Sequence, residues 1–186
     1  MSSASPPQGD LSPEYLFLGL LEQGASYGYE LHERVRVDLR HIWRVSLSQT
    51  YGILKRLEMR GEIQGKVEPQ EKRPDRRRFQ LTPTGRRRFE AWLTSPVGPS
   101  VRALRMAFTT KLYFARRRGD SFMRTLLDAQ ETSLQSGLDQ LRDALQAIPS
   151  ARIFSRLSVQ MRITQLEASQ AWLQMCRQEL LGHPLS

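Results

Sequence analysis

The chain has 186 residues, a length that permits a hydrophobic core in one or two domains. Its 28 lysines and arginines exceed its 19 aspartates and glutamates, which gives a net charge of +9, and their local density in residues 72–88 indicates a polyanionic partner. The single cysteine, Cys176, excludes an intrachain disulfide and a cysteine-based metal cluster. Because no apolar run is long enough to span a membrane and the N-terminus lacks a secretory signal pattern, we expect a soluble, cytoplasmic protein without a membrane partner.

Two helices are predicted at the start of the chain. Ser12 and Pro13 predict the beginning of the first, with serine as the cap and proline in the first helical position. Its composition is apolar nearly all round, which is typical of a helix at the centre of a domain, and Gly24 predicts its end. The second helix is expected from Tyr27 to Arg40, with Ser26 as its cap.

The stretch from Ser46 to Gly61 predicts a third helix with defined ends. Ser46 and Gln49 form a capping box of the S-x-x-Q type, and Gly61 stands where a left-handed helix stop is expected. The apolar spacing predicts a core-facing side made of Leu47, Tyr51, Leu54 and Leu57. The opposite side carries Ser48, Gln49, Gly52, Arg56 and Arg60. That side suits either an ordinary solvated face or a helix in the DNA major groove, where N-terminal residues meet base edges.

After Gly61 the periodicity changes to that of short strands. Residues 62–67 and 78–81 alternate apolar and polar side chains, and the polar segment between them predicts a hairpin tip. Thr82 and Pro83 then open a fourth helix. Three helices followed by a basic two-stranded hairpin predict a winged helix-turn-helix domain.

Basic residues are densest in this hairpin, the wing, and in the helix after it. Residues 72–88 hold eight cations and one acid, Asp75. Cations at this density repel one another unless an anion neutralises them, so the pattern favours contact with DNA over a merely solvated surface. The wing candidates are Arg73, Arg76 and Arg77, and the weaker candidates on the fourth helix are Arg86, Arg87 and Arg88.

Several linked motifs resemble the PadR family of transcriptional regulators. Residues 18–31 resemble the opening of the family, with its Gly-Tyr-Glu-Leu signature at Gly28–Leu31. Residues 42–63 resemble its recognition helix, and residues 72–93 resemble its basic hairpin and Leu-Thr-x-x-Gly exit helix. The resemblance covers about half of the chain. It implies a winged helix that binds double-stranded DNA, followed by a C-terminal helical domain that dimerises.

On the third helix, the residue types predict two kinds of DNA contact. Ser48 and Gln49 are the candidate base readers, because glutamine can pair with adenine through two hydrogen bonds and serine can bond several bases. Lys55 and Arg56 are expected to hold phosphates.

The resemblance adds two further positions on this helix. Tyr51 matches a tyrosine of the family's helix, and its hydroxyl is expected to reach a phosphate, with core packing alone as the alternative. Gly52 is a departure, because the family commonly has proline there. A second departure lies near the wing strand, where the family commonly has a tyrosine and this chain has Arg78 and Phe79. These departures bear on which operator sequence is read and not on whether DNA is bound.

Proline and glycine residues divide the chain into segments. Residues 95–101 predict a linker between two domains. The expected organisation is a disordered lead of residues 1–10, a DNA-binding domain of residues 11–94 and a helical dimerisation domain of residues 102–186.

Three helical segments are expected after the linker. Apolar residues in the middle segment recur at steps of four and three, as in a coiled coil, and the last segment continues with similar spacing. Small residues in that last segment would let another helix approach closely. The candidate dimerisation residues are Leu134, Leu138, Leu141, Leu157, Met161, Ala168 and Trp172. A self-contained three-helix bundle is the alternative.

The sequence contains no catalytic constellation, metal site or cofactor motif. We therefore expect a mainly α protein with a small β-hairpin that acts as a DNA-binding regulator and not as an enzyme. The predicted function is a homodimeric repressor on an inverted-repeat operator. The resemblance further implies release of DNA by a small, frequently aromatic effector, to which no residues are assigned. The alternative is a helical dimeric adaptor protein whose basic wing binds an acidic protein partner.

Overall fold

The computed structural model describes residues 11–69 and 76–182. The chain forms two compact units, one within Gln8–Thr94 and the other containing Ser95–Ser186. The predicted disordered lead, residues 1–10, and the wing candidate Arg73 lie outside the described residues. Among the helices of the described ranges, none is long and apolar enough to cross a bilayer.

The N-terminal unit has the predicted order of three helices, a hairpin and a fourth helix. Its elements are α1 (Glu14–Glu22), β1 (Ser26–Tyr27), α2 (Gly28–Asp38), α3 (Leu47–Met59), β2 (Ile63–Glu68), β3 (Arg76–Leu81) and α4 (Pro83–Thr94). The strands form an antiparallel sheet in the order β1-β3-β2. The mainly α fold with a winged helix-turn-helix unit is confirmed, whereas the short strand β1 was not predicted.

The hairpin is longer than the alternation of side chains predicted. β2 and β3 pair from Ile63 opposite Leu81 to Glu68 opposite Arg76. Arg76 and Arg77 therefore lie in strand β3 and not in the hairpin tip. Three consecutive arginines give no apolar alternation, so the pattern could not mark where this strand begins.

Helix α1 is buried on all sides, as its composition predicted. The side chains without exposed surface include Leu16, Phe17, Leu18 and Leu20. The helix begins one residue later than expected, with Pro13 at the N-cap. The hydroxyl of Ser12 still accepts a hydrogen bond from the N–H of Glu14 at 3.3 Å, so serine satisfies one free donor of the first turn.

The start of α2 corrects the predicted cap. Tyr27 occupies the N-cap, and Ser26 lies in β1. The Ser26 hydroxyl donates to Oε2 of Glu30 at 2.7 Å, and the Tyr27 N–H donates to the same atom at 3.1 Å. Glu30 therefore fixes the entry to α2, and Leu31 follows as a fully buried core residue. These contacts account for glutamate and leucine in the Gly-Tyr-Glu-Leu motif.

The start of α4 is hydrogen-bonded to the backbone of Glu62, the residue after the glycine that ends α3. Thr82 donates to the Glu62 carbonyl oxygen through its N–H at 3.1 Å and through its hydroxyl at 2.9 Å. The Thr82 hydroxyl also accepts from the N–H of Gly85 at 3.2 Å. A Cβ at Gly85 would overlap the Glu62 carbonyl, so this position requires glycine. The Leu-Thr-x-x-Gly motif thus joins α4 to the end of α3.

The C-terminal unit is helical throughout most of its length. Its elements are α5 (Val101–Ala103), a π-helical turn (Leu104–Phe108), α6 (Thr109–Ala115), a 3₁₀ turn (Arg116–Arg118), α7 (Asp120–Ala147) and α8 (Ile153–Leu181). Gly119, at φ 87°, separates the 3₁₀ turn from α7. The two long helices pack against each other.

Residues predicted to form the linker are packed within this C-terminal unit. Val97 is buried, and its N–H donates to Oε1 of Gln130 on α7 at 2.9 Å. Gln130 in turn donates from Nε2 to the Val97 carbonyl at 3.1 Å. The buried Lys111 ammonium donates to the Ser95 carbonyl at 2.6 Å. Buried polar side chains thus satisfy the backbone of a segment whose composition indicated only a chain break.

Candidate nucleic-acid interface

Both ends of α3 have the capping interactions that the sequence predicted. The Gln49 N–H donates to the Ser46 hydroxyl at 3.1 Å, and the Ser46 N–H donates to Oε1 of Gln49 at 2.8 Å. At the other end, Gly61 has φ 67°, and the N–H of Glu62 donates to the carbonyl of Leu57 at 3.0 Å. These bonds fix the length of α3 and the direction in which the wing leaves it.

The buried side of α3 differs from the predicted one. The buried residues are Thr50, Ile53, Leu54 and Leu57, so Leu54 and Leu57 were correctly predicted. Leu47, predicted on this side, is 40% exposed, and Tyr51, whose ring was expected to pack while its hydroxyl reaches a phosphate, is 48% exposed. Thr50 and Ile53 complete an i, i+3, i+4, i+7 stripe, and the apolar spacing alone did not reveal it because Thr50 is polar.

Tyr51 lies at the edge of the core against α2. A Cβ at Gly28 would come within 2.7 Å of Cε1 and 3.0 Å of Cζ in the tyrosine ring. The first glycine of the Gly-Tyr-Glu-Leu motif therefore makes room for this ring. The ring is held on one side and exposed on the other, which leaves it part of the outer surface of the unit.

The exposed side of α3 carries most of the predicted DNA contacts. Ser48, Gln49, Lys55 and Arg56 are exposed, and Gly52 is half-buried. At 100° per residue, Ser48, Gly52 and Lys55 lie within one outward stripe, which continues to Met59. Met59 is 77% exposed.

Gly52 leaves a gap in this stripe, although the surrounding structure has room for a side chain at this position. A Cβ there would find only Nη1 of Arg56 at 3.7 Å, which is ordinary van der Waals contact. Alanine would raise helix propensity by about 1 kcal/mol, so glycine here lowers stability. The space it leaves lies on the outer surface.

Two of the predicted wing cations already have partners within the unit. Arg77 Nη2 donates to Oε1 of Glu58 on α3 at 2.7 Å. Arg76 lies over the ring of Tyr27, with its guanidinium carbon 5.8 Å from the ring centre. The side chains of Arg76 and Arg77 are both on the exposed part of strand β3.

Two buried carboxylates, Glu14 and Glu62, and partly exposed arginines join α1, the C-terminal end of α3 and α4. Glu14 accepts from Arg60 at 2.7 Å and from Arg88 at 2.9 Å, and Arg56 lies 3.5 Å from it. Glu62 lies 2.5 Å from Arg88 and 3.3 Å from Arg60. Arg60, predicted on the outward side of α3, and Arg88, a weaker DNA candidate, are therefore paired with carboxylates within the unit.

The protonation of this group follows from its geometry. Burial acts to raise the pKa of the Glu14 carboxyl, but hydrogen bonds from Arg60 and Arg88 outweigh it and hold the pKa below its ordinary value. Burial acts to lower the pKa of Arg88, but hydrogen bonds with Glu14 and Tyr15 and the charge of Glu62 raise it above its ordinary value. Both shifts favour the charged forms of Glu14 and Arg88 at neutral pH.

Comparison with known proteins identifies the family of this unit. Residues 17–91 match the family model described as "Transcriptional regulator PadR-like family". The N-terminal unit is therefore similar to the PadR-like family over residues 17–91. The members of that family are DNA-binding transcriptional regulators and not enzymes. Residues 104–180 match a second model, "Virulence activator alpha C-term".

Individual relatives of this PadR-like chain match it over part of their length. The "Probable transcriptional regulator Rv1176c" of Mycobacterium tuberculosis is 28% identical over 47% of this chain and 46% of its own. The "Negative transcriptional regulator PadR" of Bacillus subtilis is 29% identical over 54% of this chain and 55% of its own. The match thus spans about half the length of these relatives. The crystal structure of Bacillus subtilis PadR in complex with operator DNA is similar with a TM-score of 0.45 and 23% identity, over 91% of this chain and 97% of that one.

In the C-terminal unit, the predicted dimerisation residues fall into two groups. Leu134, Leu138 and Leu141 are buried on α7 within the unit. Trp172 is half-buried, and its ring contacts that of Phe108 edge-on at 6.3 Å between centres.

The other group lies on the outside of α8. Leu157 and Met161 are 59% and 58% exposed, and Ala168 is exposed as well. At 100° per residue, the exposed stripe consists of Leu157, Met161, Thr164, Ala168, Ala171 and Met175. The side of α8 that packs within the unit is the opposite one, formed by Ile163, Leu166, Ser169 and Leu173. Helix α8 therefore has two apolar sides, of which one is exposed in the part of the chain that the structure describes.

We expect the Glu14→Gln substitution to lower the free energy of unfolding at pH 7 by about 1–3 kcal/mol, the worth of hydrogen bonds to a charged group. Because the folded-state pKa of Glu14 is depressed, its stabilising effect is present above the ordinary pKa of 4.5 and is lost as pH falls through the folded value. Urea unfolding of both proteins should therefore show a difference that shrinks below about pH 4. Glu33→Gln, in an exposed pair with Arg36, is the control and should change little. A difference for Glu14→Gln that stays constant down to pH 3 would contradict the prediction.

Proposed function

We propose that the chain is a sequence-specific DNA-binding transcriptional regulator that acts as a homodimeric repressor on an inverted-repeat operator. One observation carries the proposal: a PadR-like unit holds α3 between two fixed caps with an exposed polar and basic stripe beside the arginine-rich strand β3. The stripe offers short polar groups at its N-terminal end and cations further on, as a helix in the major groove requires. The name of the Bacillus subtilis relative, a negative regulator, supports the repressing direction.

The exposed apolar side of α8 supports the homodimer. Its 29 residues give a helix about 43 Å long. Large apolar residues stand toward both ends of the stripe, and Thr164, Ala168 and Ala171 lie between them. Small residues permit two helices to approach closely, and a second copy of α8 offers the same stripe in return, as a two-fold interface requires. Two recognition helices about 34–36 Å apart would then read successive major grooves of one inverted repeat.

Release from DNA by a small, frequently aromatic effector belongs to the same proposal as an implication of family resemblance. No residues are assigned to the effector. Addition of a candidate compound to a preformed complex would reveal it as a lowered affinity for operator DNA.

The central test is selection of bound fragments from genomic DNA at physiological salt. We expect a shared inverted repeat, with half-sites one helical turn apart, among the recovered fragments. The affinity for these fragments should fall steeply and linearly with salt on a double-logarithmic plot, because several phosphates are neutralised. Recovery of no common sequence would contradict a sequence-specific regulator. Salt-dependent capture of an acidic protein in place of DNA would favour the adaptor alternative.

A substitution of Gln49 tests base reading, but the effect of losing the capping bond must be separated from the effect of losing the contact with DNA. Its Oε1 accepts from the Ser46 N–H, so the amide group that would pair with adenine also serves the cap. We expect Gln49→Ala to lower discrimination between operator variants by about 1–3 kcal/mol. Ser46→Ala is the matched control, because it removes the other half of the capping box and leaves the glutamine. Equal losses for both substitutions on every DNA would indicate that Gln49 acts only as a cap.

Ala168 tests the dimer through α8. We expect Ala168→Glu to convert a dimer into a monomer, because the charge would be buried without a partner at the centre of the interface. Ala168 is exposed within its own unit, so the substituted chain should keep its helical circular dichroism. Ser158→Glu is the control, since it is exposed and lies about 100° around the helix from Leu157. Sedimentation velocity over a range of concentrations measures both, and a dimeric Ala168→Glu chain would refute this interface.

A further inference from the structure

The wing and the recognition helix are joined by one carboxylate. Glu58 lies near the C-terminal end of α3, and its Oε1 accepts two hydrogen bonds from the hairpin. One comes from the backbone N–H of Gly65 in β2 at 2.9 Å, and the other comes from Nη2 of Arg77 in β3 at 2.7 Å. A single oxygen thus holds both strands of the hairpin against α3.

Gly65 is part of this arrangement. A Cβ at this position would lie 2.5 Å from Nε of Arg77 and 3.0 Å from Oε1 of Glu58. Gly65 pairs with Phe79 across the hairpin, and the Arg77 guanidinium carbon lies 5.6 Å from the centre of that phenylalanine ring. The guanidinium is therefore held between a glycine, an aromatic ring and a carboxylate. We name Glu58, Gly65 and Arg77 the wing clamp.

The wing clamp satisfies a backbone donor of the hairpin and compensates one positive charge of the wing. The N–H of Gly65 belongs to the edge strand β2, and the carboxylate satisfies it. The negative charge of Glu58 compensates the positive charge of Arg77, so the pair offers no net charge to a phosphate. Arg76, one residue earlier in the same strand, contacts the Tyr27 ring and not Glu58. Neighbouring arginines in the wing are thus arranged for different tasks.

We propose that Arg77 is a positioning residue, which through Glu58 fixes the angle between the wing and α3 and does not neutralise a DNA phosphate. This inference rests on the proposed function, because the angle matters for an operator that meets both surfaces at once. A hairpin held in place before binding loses less conformational freedom on the DNA, and the saving appears as affinity. Arg77 is 52% exposed, so the ion pair adds little to global stability and its loss leaves the unit folded.

The first test needs no DNA. We expect Arg77→Gln and Glu58→Ala each to speed hydrogen exchange at the Gly65 amide, measured by NMR on the full chain. Glu58→Gln keeps an acceptor for this amide and should keep most of its protection. Arg76→Gln is the matched control in the same strand and should leave the Gly65 rate unchanged. Unchanged exchange in Glu58→Ala would overturn the clamp.

The second test uses an operator fragment recovered by the genomic selection. Arg77→Gln and Glu58→Ala should each weaken binding about two- to fivefold, the range of a half-exposed ion pair, without a change in the salt slope. The double variant should bind no more weakly than either single variant, and the exchange of charges, Glu58→Arg with Arg77→Glu, should restore part of the affinity. Arg76→Gln should lower the salt slope by about one.

The outcomes separate the inference from the proposed function. A salt slope lowered by about one in Arg77→Gln, with undiminished affinity in Glu58→Ala, would make Arg77 a phosphate contact and overturn the positioning role. Absence of DNA binding by the unsubstituted chain would overturn the proposed function and, with it, the role of the clamp in binding. In that case the Gly65 exchange rates would still report whether the clamp itself exists.

Discussion

Glu62 is the residue on which the N-terminal unit depends most. Its N–H ends α3, its carbonyl receives both hydrogen bonds from Thr82 at the start of α4, and its carboxylate receives Arg60 and Arg88. Because Gly85 lies directly against the same carbonyl, the approach of α4 is set by backbone contact. Since β2 begins at the next residue, the recognition helix, the wing and the exit helix all take their directions from one point in the chain.

The arginines of the N-terminal unit perform different roles although they look alike in the sequence. Arg60 and Arg88 are held by buried carboxylates, whose loss would leave charges uncompensated in a half-buried site. Arg77 is held by Glu58 near the surface, and Lys55 extends from α3 into solvent. A high net charge therefore overstates the number of cations available to a phosphate. The acids that reduce it are distant in sequence: Glu14 is 74 residues from Arg88, and Glu58 is 19 residues from Arg77.

Sequence patterns predicted those features that depend on neighbouring residues. The caps at Ser46 and Gly61, the helical order and the hairpin all follow from local turn and capping chemistry. The pairing of Arg77 with Glu58 could not be predicted, because it depends on how a hairpin folds back onto a helix. The same holds for Gln130, which binds the backbone of Val97 and packs a segment whose prolines and glycine indicated a free linker. The contact of the Tyr51 ring with Gly28 joins two helices, so spacing within α3 alone could not reveal it.

The two apolar sides of α8 explain why its heptad spacing was ambiguous. A helix that packs only within a three-helix bundle needs one stripe, which Ile163, Leu166 and Leu173 supply. Leu157, Met161 and Met175 form a second stripe on the opposite side, and its exposure costs free energy in an isolated chain. A self-contained bundle gives no reason for that stripe. The proposed homodimer would account for it, because burial of the same residues from both chains would remove the exposed area and place two PadR-like units in one assembly. The C-terminal half would then set the distance between two recognition helices, while the wing clamp sets the geometry within each.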